Sequence, residues 1–246
     1  MDDNPLIARL QHCCRLEERD IRELLDLCWD VRDIGRGVNI VHDGERADRV
    51  HLIMSGWAAR YKLLPSGARQ ITALLLPGDL CDLRCTMLAR MDQGIMALTP
   101  VRVAYILPQA INTLERTDPM VGHALAWCSL VEQAILRAWI VNMGRRHALE
   151  RVAHLFCELS ERSAMIAPDG QGPRFYPLTQ EEIADTLGLT PVHVNRVLQD
   201  LRSRAMITSR RGGLTVLDLV GLQRLAGFNG AYLRPQTVPV AELAIA

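Results

Sequence analysis

The sequence predicts an α+β fold: an N-terminal β-roll of the jelly-roll kind, one long helix, and a C-terminal helix pair closed by a hairpin. Three observations carry this. Gly44, Gly56, Gly67 and Gly78 recur at intervals of 12, 11 and 11 residues among short β-rich runs, the signature of strands separated by turns. From Pro119 to about Met143 the apolar residues keep one helical period. From Leu178 to Ile207 two short amphipathic helices are separated by a glycine.

Composition bounds the rest. At 246 residues with 49% hydrophobic content, the chain has ample material for a packed core. Basic and acidic residues balance at 28 each. The first twenty residues are too charged for a signal peptide. The most apolar long stretch, His123 to Val141, contains Glu132, Gln133 and Arg137 and makes a poor membrane span. These features point to a soluble cytoplasmic protein. Four segments follow: 1–118 (N-terminal helices and roll), 119–143 (long helix), 144–230 (C-terminal domain) and 231–246 (a tail with no clear period).

In order along the chain, residues 5–34 read as short helices, through Leu6, Ile7 and Leu10, then Ile21, Leu24, Leu25 and Cys28. The roll's strands are VNIV, VHLIM, AARYKLL, QITALLL and VRVAYI, between Val38 and Ile106. Between Gly78 and Thr99 the pattern breaks into a loop and a short helix. Pro108 to Leu114 suits another helix. In the long helix Val121, Ala124, Cys128, Val131, Ile135, Ala138 and Asn142 fall at alternating steps of three and four, a heptad seam. Trp127, Leu130, Ala134 and Leu136 add apolar surface on other sides, so the helix wants more than one neighbour. One of these is expected to be a second copy of the chain, met along that seam. Gly144-Arg145-Arg146 reads as a hinge, Ala148 to Ser160 as a further helix, and Ala167 to Pro177 as a loop or short hairpin.

The C-terminal pair is the most explicit stretch. Thr179 and Glu182 fit a capping box. Ile183, Ala184 and Leu187 form an apolar face, and Gly188 stands where the chain must turn. Thr190 caps a second helix, with Pro191 in its first position. That helix keeps Val194, Val197, Leu198 and Leu201 on one face and His193, Asn195, Arg196, Asp200 and Arg202 on the other. This is the pattern of a helix-turn-helix, whose second helix enters the DNA major groove. From Leu187 to Arg211, five arginines stand against one acid, a local balance of 5 − 1 = +4 in a chain that is otherwise neutral. Two β-rich runs around Arg211-Gly212-Gly213 look like the hairpin wing of a winged helix. The expected DNA-facing set is Thr179, Gln180, Thr190, Pro191, Val192, His193, Asn195, Arg196, Arg202, Arg210 and Arg211. Within it, Arg196 addresses a guanine, Val192 a thymine methyl, and His193 or Asn195 a base edge or phosphate. Thr179, Gln180, Arg210 and Arg211 take phosphates.

A roll, a long helix, a hinge and a winged helix-turn-helix, with GLTPVHVNRVLQDLR in the recognition segment and Asp48 to Trp57 in the roll, resemble the Crp/Fnr family of bacterial transcription regulators over roughly residues 20–220. The resemblance implies a homodimer on a palindromic operator, controlled by an effector or redox signal in the roll, with RNA polymerase as a partner if the protein activates. It also maps the guanine-reading arginine onto Arg196. The family's usual glutamate four residues earlier is replaced by Val192.

The resemblance places an effector pocket at Gly78, Asp79, Leu80, Asp82 and Arg84. Cyclic AMP is disfavoured there, because Asp79 and Asp82 put negative charge where a phosphate would sit and Arg84 is the only nearby cation. The arginine–hydroxyl pair of cyclic-nucleotide binders is absent at Met91-Asp92. Seven cysteines, Cys13, Cys14, Cys28, Cys81, Cys85, Cys128 and Cys157, contain no CxxC pair. Adjacent Cys13 and Cys14 do not match the spaced ligands of members with an iron–sulfur cluster. A reactive thiol, plain apolar cysteines and a haem on His42, His51 or His123 stay open, as does the cofactor in general. No metal site is assigned. A cupin-type enzyme would need a histidine-rich set on the strands, and His42 and His51 lack that spacing. No catalytic triad or carboxylate pair appears, so the chain is not expected to be an enzyme.

Overall fold

The computed structural model describes residues 4–166 and 174–235. The expected loop around Gly170, Gly172 and Pro173 and most of the tail lie outside these residues.

Two short helices open the chain: α1 (Pro5–Leu10), started by Asn4 and Pro5, and α2 (Glu18–Asp26). The expectation of helix through residue 34 fails at β1 (Val31–Ile34), which pairs antiparallel with β8 (Val101–Ile106) in the register Val31↔Ala104 to Ile34↔Val101. Its β-branched ends suit a pleated surface better than a helix. The other strands of the roll are β2 (Asn39–Val41), β3 (Val50–Ser55), β4 (Ala58–Leu63), β5 (Arg69–Leu75), β6 (Leu80–Cys81) and β7 (Gly94–Ala97). They form two four-stranded sheets, ordered β1-β8-β3-β6 and β2-β7-β4-β5. The four periodic glycines all have φ between 80° and 85°, a region that non-glycine residues rarely enter. At Gly56 a Cβ would also lie 2.2 Å from the Pro100 carbonyl oxygen. The break expected from Gly78 to Thr99 does contain a loop and a single 3-10 turn (Cys85–Met87), but also β6 and β7. Such short strands are too brief to show alternation.

Helix α3 (Pro108–Thr117) precedes α4 (Pro119–Arg145), which is long and apolar enough to cross a membrane by length and composition alone. Here it is a helix of the fold, with Val121, Ala124, Leu125, Trp127 and Cys128 buried. Gly144 does not interrupt it. The break comes at Arg146 and His147, before α5 (Ala148–Ile166).

Two compact units emerge among the described residues: 4–58, 75–134 and 234–235 in one, and 59–74, 135–166 and 174–233 in the other. The division falls inside α4 and so does not coincide with the boundaries expected at 118/119 and 143/144. The first unit's core includes Val50, Leu52, Ile53, Ile95, Val103 and Ala104; the second's includes Val152, Phe156, Leu159, Ile183, Val194, Leu201 and Leu222. In the second unit α5 runs beside α6 (Gln180–Leu187), α7 (Pro191–Ser203) and α8 (Leu219–Ala226). A three-stranded sheet, ordered β10-β11-β9, completes it with β9 (Arg174–Tyr176), β10 (Ile207–Arg210) and β11 (Gly213–Val216).

Candidate nucleic-acid interface

The C-terminal pair forms as its capping residues require. The Thr179 amide donates to Glu182 Oε2 at 2.7 Å, and the Glu182 amide donates to Thr179 Oγ1 at 3.1 Å, which satisfies two of the free donors at the start of α6. Gly188 ends α6 at φ 61°, with its amide bonded to the Ala184 carbonyl. Thr190 Oγ1 accepts from the His193 amide at 3.2 Å and Pro191 opens α7. Val194, Val197, Leu198 and Leu201 are buried, and this seats α7 with its other face outward. Arg69 Nε, on β5, donates to Asp185 Oδ2 at 2.8 Å, and Gln70 Nε2 donates to the Thr186 carbonyl at 3.2 Å. Nothing in the sequence announced these long-range braces on α6.

The outward face of α7 presents Pro191, Val192, His193 and Arg196, all exposed, with Asn195 half-buried. Val192 is 63% exposed. Thr190, Val192, His193, Arg196 and Asp200 line an open depression of about 410 Å³, to which α5 adds Leu149. Leu149 was not foreseen, being forty residues away in sequence; nor was Gln199, exposed one turn beyond Arg196.

The local positive charge resolves into distinct roles. Arg204 is paired with Asp200 at 2.8 and 3.0 Å, and that bond holds its guanidinium more firmly protonated. Arg202 Nη1 reaches Ser209 Oγ at 2.6 Å, joining α7 to β10. Arg196, Arg210 and Arg211 are exposed and make no ion pair or side-chain hydrogen bond among the described residues. Arg210 and Arg211 sit at the hairpin tip, where Gly212 turns at φ 84°. Next to it, Gly213 allows β9 to approach: a Cβ there would lie 2.1 Å from the Tyr176 carbonyl oxygen. Thr179 is half-buried and Gln180 exposed at the start of α6. This cationic, partly apolar surface suits a polyanion with readable edges.

The expected dimer seam needs correction. Val121, Ala124, Cys128, Val131, Ile135 and Asn142 are all buried within the single chain, and Ala138 is half-buried. The three-four spacing was real, but it marks the side of α4 that packs on its own protomer. The apolar residues left outside are Leu130, Leu136, Ile140 and Val141, the last two 67% and 53% exposed.

The loop assigned to an effector is also arranged differently from expectation. Asp79 is buried, ion-paired with Arg9 of α1, and accepts the Leu76 amide at 2.7 Å. A Cβ on Gly78 would lie 2.5 Å from the Pro5 carbonyl oxygen, so α1 lies directly on the loop. Arg84 turns to Glu115 at 2.6 Å, Leu80 pairs with Leu52 in β3, and Asp82 occupies a left-handed turn at φ 62°. Arg9 and Arg84 are thus each engaged by a carboxylate rather than left open to a cyclic phosphodiester. Among the described residues no three His, Cys, Asp or Glu side chains gather as a metal site. Burial pushes the thiols of Cys14, Cys28 and Cys128 up, and that of Cys157 to about 12, opposite to a reactive thiolate.

Roll and interface together define a DNA-binding regulator with a sensor-type β-roll. The cyclic nucleotide-binding domain family matches residues 31–118, and the Crp-like helix-turn-helix domain family matches residues 150–225. The chain belongs to the Crp/Fnr family of transcription regulators. It is similar to the transcriptional activator protein FnrL of Cereibacter sphaeroides, 27% identical over 219 residues covering 87% of each chain. It is likewise similar to the nitrogen fixation regulation protein FixK of Bradyrhizobium diazoefficiens, 27% identical over 215 residues, 87% of this chain and 89% of that one. Among solved structures, FixK2 from Bradyrhizobium japonicum aligns with a TM-score of 0.71 and 25% identity, over 81% of this chain and 98% of the other.

Proposed function

We propose that the protein is a cytoplasmic homodimer that reads a palindromic operator through α7, controlled by a signal received in the roll. The observation that carries this is Arg196: an exposed guanidinium, unpaired among the described residues, in the middle of a helix capped by Thr190 and flanked by exposed Val192 and His193. Its planar donors match guanine O6 and N7, and Val192 offers an apolar contact to a thymine methyl. Gln180, Thr179, Arg210 and Arg211 address backbone phosphates, and Arg202 supports the wing through Ser209. Pairing along the exposed stripe of α4 would set the two recognition helices roughly 34 Å apart, one turn of DNA. If the protein activates transcription, RNA polymerase is its further partner. The reading assigns it no catalytic step.

The test is selection of bound sequences from random DNA with the full-length protein. Enrichment of a two-fold symmetric site with a guanine in each half supports the reading. Recovery of unrelated sequences, or of a site with no symmetry, defeats it.

A further inference from the structure

One edge of the roll carries a cavity that the DNA-reading surface does not use. It measures about 210 Å³ and lies in the first unit, where β1, β3 and β8 meet the loop between β2 and β3. Strand register builds its floor. His51 pairs directly with Tyr105, while Arg32 pairs with Val103, so the alternation of the sheet sets Arg32 diagonally beside Tyr105 on the same face. The Arg32 guanidinium lies 4.3 Å from the centre of the Tyr105 ring and is fixed by Asp30 at 3.1 and 2.8 Å. His51, 5% exposed, meets the same ring edge-on, and its Nδ1 has no hydrogen-bond partner among the described residues. A buried polar atom in that position calls for a partner that the described residues do not supply.

The wall is preformed. The Met91 amide donates to the Glu45 carbonyl and the Gly44 amide to the Met91 carbonyl, each at 2.8 Å, and Arg90 Nη1 donates to the Gly44 carbonyl at 2.7 Å. This zipper presents Arg46 and Arg49 to the cavity. Two acids also line it. The Glu45 carboxylate accepts from the His42 amide at 2.8 Å, and the Asp48 carboxylate stands 3.9 Å from the Arg49 guanidinium, which leaves Arg46 without a close counter-charge among the described residues. Arg46 makes no side-chain bond among the described residues, and the only hydrogen bond of Arg49's guanidinium there goes to the neighbouring Asp48 carbonyl. Two under-used guanidiniums over an aromatic floor are an arrangement for a small anion with oxygen acceptors.

We propose that this cavity binds a small oxyanion, a carboxylate or a phosphate ester, clamped by Arg46 and Arg49 against the Tyr105–His51 floor. The site is separate from the Gly78 loop, where Asp79 pairs with Arg9 and Arg84 with Glu115, and it stands whether or not α7 reads DNA.

The test is calorimetric titration of the full-length protein, in chloride-matched buffer without DNA, using inorganic phosphate, glycerol 3-phosphate and succinate as probes. At least one should bind saturably, one per chain, with a Kd below about 1 mM. Binding of the two phosphates alone marks a phosphate site; binding of succinate alone marks a carboxylate site. Replacing Arg46→Ala together with Arg49→Ala should weaken that binding about tenfold or more at an unchanged melting temperature; a pair of glutamines serves if the alanine variant melts early. No saturable heat with any of the three, or equal affinity in the double variant, overturns the proposal.

Discussion

Trp139 of α4 donates its indole N–H to both carboxylate oxygens of Glu158 on α5, at 3.1 and 3.0 Å. Glu158 is fully buried, and Tyr232 donates to the same carboxylate at 2.8 Å, with Arg162 3.5 Å away. One side chain therefore ties two helices and a C-terminal turn. Glu158→Ala would leave the Trp139 and Tyr232 donors without this acceptor and take the carboxylate away from Arg162, and should cost about 3–5 kcal/mol in urea unfolding. Glu158→Gln keeps the shape and should cost visibly less. Equal losses would show that packing, rather than the bonds, holds the junction.

Arg196→Ala should weaken operator binding by about 1–3 kcal/mol and relax the preference at one guanine per half-site. Arg211→Ala, at the wing tip, should weaken all sequences alike and lower the salt slope by about one. Competition gel shifts against single-base variants of the site distinguish the two, and a uniform loss from Arg196→Ala would move that residue to the phosphate class.

The two sides of α4 should respond oppositely to charge. Leu130→Asp with Ile140→Asp places carboxylates on the exposed stripe and should yield folded monomers by sedimentation velocity. Val131→Asp with Ile135→Asp buries carboxylates inside the protomer, at several kcal/mol, and should unfold the chain. A folded monomer from the second pair would restore the original seam.

The helix-turn-helix was legible because local chemistry specifies it: Thr179, Glu182, Gly188, Thr190 and Pro191 each act within a few residues of themselves. The side of α4 was not legible, because a helix apolar on several sides satisfies the three-four rule along more than one stripe. Only the neighbours decide that Val131 is covered and Ile140 is not. Helix α8 carries no clear signature in the sequence, because Gly221 lies inside it. In the fold Gly221 donates its amide to the Asp218 cap, and a Cβ there would lie 2.2 Å from that flexible carboxylate, which would have to turn aside. The Asp79–Arg9 pair spans seventy positions, and no periodicity reports such a contact.

That pair yields a further expectation. Arg9→Ala would remove the guanidinium that offsets the buried Asp79 charge and should cost about 3–5 kcal/mol of stability. Calorimetric titration with cyclic AMP and cyclic GMP should stay flat in the native protein. A micromolar Kd for either, lost in Arg84→Ala, would mean that the Gly78 loop opens to accept a phosphate.

Burial pulls both His51 and His154 down to about 4 from an ordinary 6.5. The native state keeps them neutral, while the unfolded chain takes up protons as pH falls below 6.5. Stability is therefore full above that pH and falls between 6.5 and 4, by about 3 kcal/mol per histidine at the acid end. Glu158, whose carboxyl burial pushes up, contributes with the opposite sign, so the effect is read by difference. His154→Phe should flatten the pH dependence of the melting temperature across this window. An unchanged slope would show that His154 is not the group responsible.

Gly212 and Gly213 share a letter but not a reason. The first has nothing within 4 Å of where a Cβ would stand and is glycine for its backbone angle; the second stands against the Tyr176 carbonyl and is glycine for want of room. In a saturation library scored for survival, position 212 should therefore admit asparagine and aspartate, which tolerate left-handed backbone. Position 213 should admit no replacement, because even one methyl group drives a third strand off the sheet that carries the wing.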